Sequence, residues 1–353
     1  MSQPSPLPPA SRFRMPAEWE PHAGTWLAWP HRKSDWPGKI APIRMVYGEI
    51  IRKLEKYEEI HILVPPNQHI GKLQKILQAS QAYSTHVHLH QCETDRSWVR
   101  DSGPIFVWNT NQEKYALDWH FNAWAKYPDW QNDDAIPAFV ARTIGVKTVQ
   151  PRIRNWRVVL EGGSIDVNGQ GLMLTTEECL LSTQQHRNPP LDRADYEAVF
   201  AEYLGIQKVL WLNCGIVGDD THGHVDDIAR FVDPNTIVAV VEDDPTDENY
   251  VLLQENIERL RGFTNLDGSK LEIVLLPMPK PVFYQDQRLP ASYANFYIAN
   301  DIVLVPTFND PADRVALGIL EGLFPDREVV GIHSVDLVWG LGTLHCMTQQ
   351  EPA

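Results

Sequence analysis

IAPIRMVYGEIIRKLEKYEEIHILVPP, residues 40–66, holds the unit from which the fold can be read. Ile43, Val46, Tyr47, Ile50, Ile51 and Leu54 recur at helical spacing and share one face, which predicts an amphipathic helix. Ile60-His61-Ile62-Leu63-Val64 follows as a short β-rich run, closed by Pro65-Pro66, which lack the N–H groups needed to continue a ladder. The same helix–strand order recurs in Ala194 to Leu204 before Val209-Leu210-Trp211-Leu212, in Tyr250 to Leu260 before Leu271 to Leu276, and in Ala312 to Leu323 before Val329 to Ile332. A fifth pair falls at Ile70 to Leu77 or at Ala135 to Ile144.

Between these pairs lie β-rich runs leading to Asn, Asp or Gly turns, the pattern of hairpins. They are Ile105 to Asn109, Ser164 to Gly169, Ala229 to Asn235 and Asn295 to Asn300. A hairpin, a helix and a strand thus return about every sixty residues, a period that signals a circular or stacked architecture. The fold expected is a single α/β domain over residues 1–353, a closed propeller of five ββαβ blades with pseudo-five-fold symmetry, with residues 1–14 as a flexible tail. An open α/β sheet with hairpin insertions fits the periodicity as well. The polar residues favour the ring, because Asp101, Glu161 and Asp226 each stand just before a hairpin, and such positions converge on the axis of a ring.

The 353 residues are 43% hydrophobic and 22% charged, the composition of a globular chain with a substantial core. With 46 acidic against 31 basic residues the formal net charge is −15, which argues against nucleic-acid or anionic-membrane partners and suits a cationic small molecule. The start of the chain is rich in Ser and Pro and lacks the pattern of an export signal, and no apolar run is long enough to span a membrane. Cys92, Cys179, Cys214 and Cys346 are far apart with no CxxC pairing, so a reducing cytoplasm is expected and no disulfide scaffold or zinc ribbon is indicated.

Converging carboxylates match the donor fork of a planar, cationic guanidinium. Against this stand ion pairs of Asp101 with Arg96 or Arg100, and a turn role for Glu161 beside Gly162 and Gly163. His224 lies two residues before Asp226, so in an extended segment the two point to the same side, as an acid/base beside a gripping carboxylate would. His222-Gly223-His224-Val225-Asp226-Asp227 also has the look of a metallohydrolase ligand run, without its final His. Cys346 ends a Gly-containing loop, Trp339 to Cys346, that can present a thiol to a pocket, although a lone Cys is more often a small buried hydrophobe. Cys92, Cys179 and Cys214 are read as such core residues.

WVRDSGP (98–104), DWHFNAW (118–124), LEGGS (160–164), LTTEECLLS (174–182), GHVDD (223–227) and HCMTQQEP (345–352) together resemble the agmatine deiminases, as does MPAEWEPHAGTWLAWPHR (15–32). The resemblance runs through nearly the whole chain in order. It implies the five-bladed α/β propeller of the guanidino-modifying, or pentein, superfamily and a role in polyamine biosynthesis. It carries the nucleophile to Cys346, the general acid/base to His224, and guanidinium binding to Asp101 and Asp226. It makes Glu161 the partner that keeps His224 protonated and Trp98 and Trp124 pocket walls. One departure stands out: members of that family often carry GGGNIHC, where this chain has Gly340-Leu341-Gly342-Thr343-Leu344-His345-Cys346.

The implied reaction is hydrolysis of agmatine through a thiouronium on Cys346, with no metal or organic cofactor. Agmatine is the partner, and a homo-oligomer is left open. Agmatine is expected over arginine, since the motif segments offer few cations to accept the α-carboxylate of arginine, and Asp220, four residues before His224 and beside Asp219, is the candidate for drawing in the distal ammonium, against a reading as a solvated turn acid. The competing readings are a peptidyl-arginine or free-arginine deiminase, a metal-dependent hydrolase built on the HGHVDD run, and a non-catalytic polyamine-binding protein.

Overall fold

The computed structural model describes residues 13–353, whose strands form five sheets of three or four strands and two short ribbons. All five sheets share one order: an antiparallel pair, a helix, and a strand that returns parallel to the pair's second member. In one, Asp166–Val167 pairs with Leu172–Thr176, the helix Arg193–Leu204 follows, and Lys208–Leu212 returns parallel to Leu172–Thr176. Ala229–Phe231, Thr236–Val241 and Glu272–Pro277 repeat it around the helix Asn249–Gly262. Tyr297–Ala299, Ile302–Thr307 and Glu328–His333 do so around Ala312–Leu323.

Ala135 to Ile144 supplies the further helix–strand pair. Ile105–Asn109 pairs with Lys114–Leu117, and after the helix Ile136–Ile144 the strand Lys147–Val149 returns in parallel. The remaining sheet is split between the two ends of the chain: Thr348–Pro352 pairs antiparallel with His22–Ala28, and the helix Ile40–Leu54 leads to Glu59–Val64. Ile70–Ala79 is an additional helix, and it delivers Val87–Gln91 to the edge of that sheet.

Residues 1–12 lie outside the described residues. Phe13 and Arg14, expected in a flexible tail, instead form a strand on Ile105–Asn109, because the Phe13 side chain is buried and the Met15 amide donates to Leu204 O at 2.9 Å. That anchor depends on how the helix Arg193–Leu204 ends. It starts with a reciprocal capping box between Asp192 and Asp195 and stops at Gly205 with φ 75°, a left-handed conformation that favours glycine. A Cβ there would lie 2.5 Å from Phe13 O.

The core is a chain of apolar clusters, each joining neighbouring sheets. Trp26 and Leu63 meet Phe106 and Ala116; Ile105 and Leu117 meet Met173 and Trp211; Leu174 and Leu210 meet Phe231 and Val238, which continue to Ile298 and Val303. Leu304 and Ile332 then pack with Leu27 and Ile62 of the split sheet. Each fully buried aliphatic or aromatic side chain contributes about 1.5–3 kcal/mol, so the sheets are held to one another by their shared filling. None of the described helices is long and apolar enough to cross a membrane.

Candidate active site

Each sheet is entered through a short turn, and these turns carry the polar residues. Asp101 sits in the helical turn Val99–Ser102 before Ile105, Glu161 precedes the turn Gly162–Ser164, and Asp226 lies in the turn Val225–Asp227 before Ala229. Asn295 precedes Tyr297, and Cys346 precedes Thr348. His224 and Asp226 meet through that tight turn and not through the extended segment expected for them.

A cavity of about 270 Å³ opens onto this centre, lined by Trp98, Trp124, Asp101, Cys346, Asp220 and Leu341, among others. Asp101 is buried and neither Arg96 nor Arg100 pairs with it. Its Oδ1 accepts from the Gly163 amide at 3.1 Å and its Oδ2 from the Trp124 indole N–H at 2.9 Å. Trp124 reaches it from three successive left-handed residues, Ala123, Trp124 and Ala125 (φ 50°, 58° and 52°), a strain of the kind stored at functional sites. A Cβ on Gly163 would come within 2.6 Å of His224 Nδ1, 2.8 Å of Asp101 Oδ1 and 2.9 Å of Asp226 Oδ2, so only glycine leaves room for these groups to meet. Leu341, at φ 68°, holds a left-handed position where the expected family pattern has glycine.

Asp226 is fully buried. Its Oδ2 accepts from His345 Nδ1 at 2.7 Å and stands 3.8 Å from Cys346 Sγ, while its Oδ1 has no hydrogen-bond partner among the described residues. Burial would raise its carboxyl, but the hydrogen bond and charge of His345 hold it below the usual range. His345 in turn reaches Glu18 Oε2 through Nε2 at 2.8 Å, and Glu18 is held by Arg230 at 2.9 Å.

His224 lies between Asp101 Oδ1, 3.7 Å from Nδ1, and Glu161 Oε2, 3.5 Å from Nε2. Burial works against its cation, yet Asp101 and the contacts with Cys179 and Glu161 raise its pKa well above the ordinary value. Glu161 is lowered despite burial, because Arg187 and His224 both stabilise its charge. Burial pushes Asp101 up to about 6, with Asp226 and Glu161 adding to it and His224 opposing. Burial, then the charges of Asp226, Asp227 and Asp101, drives the Cys346 thiol well above its ordinary value. A cation placed among these carboxylates would reverse that effect.

Several participants were not singled out from the sequence. Arg187 ion-pairs Glu161 at 3.2 Å, and Asp219 accepts from the Gly223 and His224 amides at 2.8 and 3.0 Å, shaping the loop that holds the histidine. Cys179 packs in an apolar cluster as expected, and its sulfur, a His224 ring nitrogen and a Glu161 oxygen lie within 4.8 Å of one another. Cys214 is only partly buried. His222 turns away to Glu178 and Ser182, so it does not join His224 as a chelating pair.

Two cations line the cavity where few were expected. Arg96 pairs with Asp35 at 3.1 Å and Asp129 at 3.4 Å, and Arg32 contacts the same two carboxylates, which makes a balanced quartet. Arg100 faces away, toward Gln350 and His345 O. Asp220 lines the cavity with its oxygens engaged by Lys126 Nζ at 2.5 Å and the Tyr127 hydroxyl at 2.8 Å.

Residues 14–352 match the family model of the Porphyromonas-type peptidyl-arginine deiminases. The agmatine deiminase of Pseudomonas aeruginosa is 34% identical, covering 100% of this chain and 99% of its own length, and the putative agmatine deiminase of Latilactobacillus sakei is 35% identical with 98% of each chain covered. Among solved structures, the agmatine deiminase of Enterococcus faecalis superposes with a TM-score of 0.88 at 32% identity over 99% of each chain. A cysteine-to-serine variant of the C. jejuni agmatine deiminase, with substrate bound, gives 0.85 at 30% identity over 97% of this chain and 96% of that one. An amidinotransferase from Microseira wollei, 11% identical, shares the fold alone, with a TM-score of 0.50 and 96% of each chain covered.

Proposed function

The chain belongs to the Porphyromonas-type peptidyl-arginine deiminase family, and on that footing we propose that it is an agmatine deiminase, hydrolysing agmatine to N-carbamoylputrescine and ammonia. The observation that carries the chemistry is the fully buried Asp226, with one oxygen beside Cys346 Sγ and the other unpaired among the described residues, close to the buried Asp101. Two carboxylates beside a thiol, one of them with an oxygen still free to accept, make a seat for a guanidinium.

Asp101 and Asp226 hold the guanidinium nitrogens and set its carbon against Cys346. Its positive charge offsets the carboxylates that otherwise disfavour the thiolate, and the thiol proton leaves to solvent. The thiolate pair forms the S–C bond, and His224, protonated beside Glu161, gives its proton to the departing nitrogen, which leaves as ammonia. The thiouronium so formed is attacked by water as neutral His224 takes the water's proton. The S–C bond then breaks, its pair returns to sulfur, and the ureido product leaves after losing a proton.

Trp98 and Trp124 wall the methylene spacer, and Asp220 receives the distal ammonium, which displaces Lys126. The five sheets close into a five-bladed propeller, one domain over the described residues. The apolar clusters that link each sheet to the next, and the split sheet to its neighbours, support this closure. The four free cysteines suit a reducing cytoplasm.

Arginine is disfavoured, because its α-carboxylate would enter a cavity whose Arg32 and Arg96 are already neutralised by Asp35 and Asp129, at a cost of several kcal/mol, on the order of an uncompensated buried charge. Ammonia release measured with agmatine, arginine and a blocked arginyl peptide tests this. Agmatine should lead in kcat/KM by at least about 100-fold, on the scale set by one unpaired buried charge. Equal rates with arginine would overturn the substrate assignment.

A further inference from the structure

The turns that lead into four of the sheets carry Asp101, Glu161, Asp226 and Cys346, and the fifth carries Asn295, in Ser292-Tyr293-Ala294-Asn295 before the strand Tyr297–Ala299. Nothing in the reaction as described uses it, yet it is fully buried and touches the reacting atom. Its Nδ2 lies 3.1 Å from Cys346 Sγ and 3.0 Å from Asp227 Oδ1. Its Oδ1 accepts from the Thr343 hydroxyl at 2.7 Å and from the His345 amide at 3.0 Å.

These contacts decide which way the carboxamide faces. The His345 amide can only donate, so the oxygen must stand on that side and the NH₂ group on the side of the sulfur and the Asp227 carboxyl. Flipping the group would set donor against donor at His345. Thr343 stands where the resembling family pattern has Asn, and here its hydroxyl locks the Asn295 oxygen.

The sulfur is otherwise in hostile surroundings, largely buried at the edge of the cavity, with Asp226, Asp227 and Asp101 disfavouring its charge. A backbone N–H from Thr343 favours the charged form, and Asn295 is the side chain whose N–H is directed at the sulfur.

We propose that Asn295 is a catalytic residue of the reaction described above, its carboxamide N–H holding the Cys346 sulfur as an anion both before it attacks the guanidinium carbon and when it is expelled from the thiouronium. Asn295 keeps its proton throughout. In the attack the sulfur pair becomes the S–C bond, in the expulsion that bond returns its pair to sulfur, and the amide stabilises the charge at both ends. The inference rests on Cys346 being the nucleophile, but not on agmatine being the substrate.

The test is alkylation of Cys346 by iodoacetamide, followed against pH in full-length enzyme and in Asn295→Ala, with thermal unfolding as a control for folding. Loss of the donor should slow alkylation near neutral pH by about 30- to 100-fold, the scale of one hydrogen bond to a charged group, and move the midpoint of the profile to higher pH. With agmatine, kcat should fall by a similar factor and KM by little. A folded Asn295→Ala whose alkylation profile coincides with the parent's overturns the proposal and leaves the residue a loop clamp.

If Asn295→Ala does not fold, Thr343→Val decides, since it leaves the Asn295 oxygen held by backbone amides alone, loosens the carboxamide and should slow alkylation about tenfold, whereas an unchanged rate overturns the proposal. Because iodoacetamide needs no guanidine, failure of the substrate assignment would show in the ammonia assay and leave this readout intact.

Discussion

Two buried histidines sit in this centre, each between two carboxylates, and they are held very differently. His345 is bonded tightly on both sides, at 2.7 Å to Asp226 and 2.8 Å to Glu18. His224 stands 3.5 Å from Glu161 and 3.7 Å from Asp101, and neither ring nitrogen makes a full hydrogen bond. A ring bonded through both nitrogens is fixed in place and orients what it touches. A ring flanked by charge but not bonded to it is held as a cation and can still give its proton away. In the proposed mechanism the tight histidine is therefore the brace for Asp226, and the loose one serves as the acid and base.

The sharpest way to break that contrast is to remove each ring in turn. His224→Gln should lower kcat by about 10³- to 10⁴-fold, the upper range for a positioned acid/base, with KM nearly kept. A loss of less than tenfold would mean that the proton moves by another route. His345→Gln should cost less, about 10- to 100-fold in kcat/KM, the scale of one hydrogen bond to a charge. The Asp226 carboxyl should also titrate at higher pH, because it would lose the hydrogen bond and charge that hold it down. If the two variants lost activity equally and with the same pH profile, the division of labour would be wrong.

Asp101 sharpens the comparison through pH alone. Burial, with its acidic neighbours, places its carboxyl at about 6, so below that pH it is protonated and neutral. A neutral acid grips a guanidinium poorly. kcat/KM should therefore rise as pH increases through about 6 and level off above it, and Asp101→Asn should lower the plateau and remove that limb. A parent profile that stayed flat to well below pH 6 would place the carboxyl elsewhere in energy.

The hairpin–helix–strand unit was legible because each helix and strand carries its own period, as in Ile43 to Leu54 and Ile60 to Val64. The split sheet was not. Thr348–Pro352 reads TQQEP, without an apolar alternation, and becomes a strand only through pairing with His22–Ala28 from the other end of the chain. The carboxylates, the histidine and the thiol stood out as motif residues, each in a turn just before a strand. Their supports did not. Arg96 meets Asp35 across 61 residues, Gly163 matters for the atoms it leaves room for, and Asn295 looks like an ordinary turn residue until the fold sets it against sulfur. Pairings of that kind carry no local period, so only the assembled sheets reveal them.

A covalent intermediate on Cys346 can be trapped by rapid acid quenching of the enzyme during turnover of agmatine, followed by digestion and mass measurement of the cysteine-containing peptides. An amidine adduct is expected on the peptide with Cys346 and on none of those with Cys92, Cys179 or Cys214, appearing before steady state and absent in Cys346→Ala, which should release no ammonia above the solution rate. Ammonia release with no adduct on Cys346 across that interval, or an adduct on another cysteine, would contradict the covalent role of Cys346.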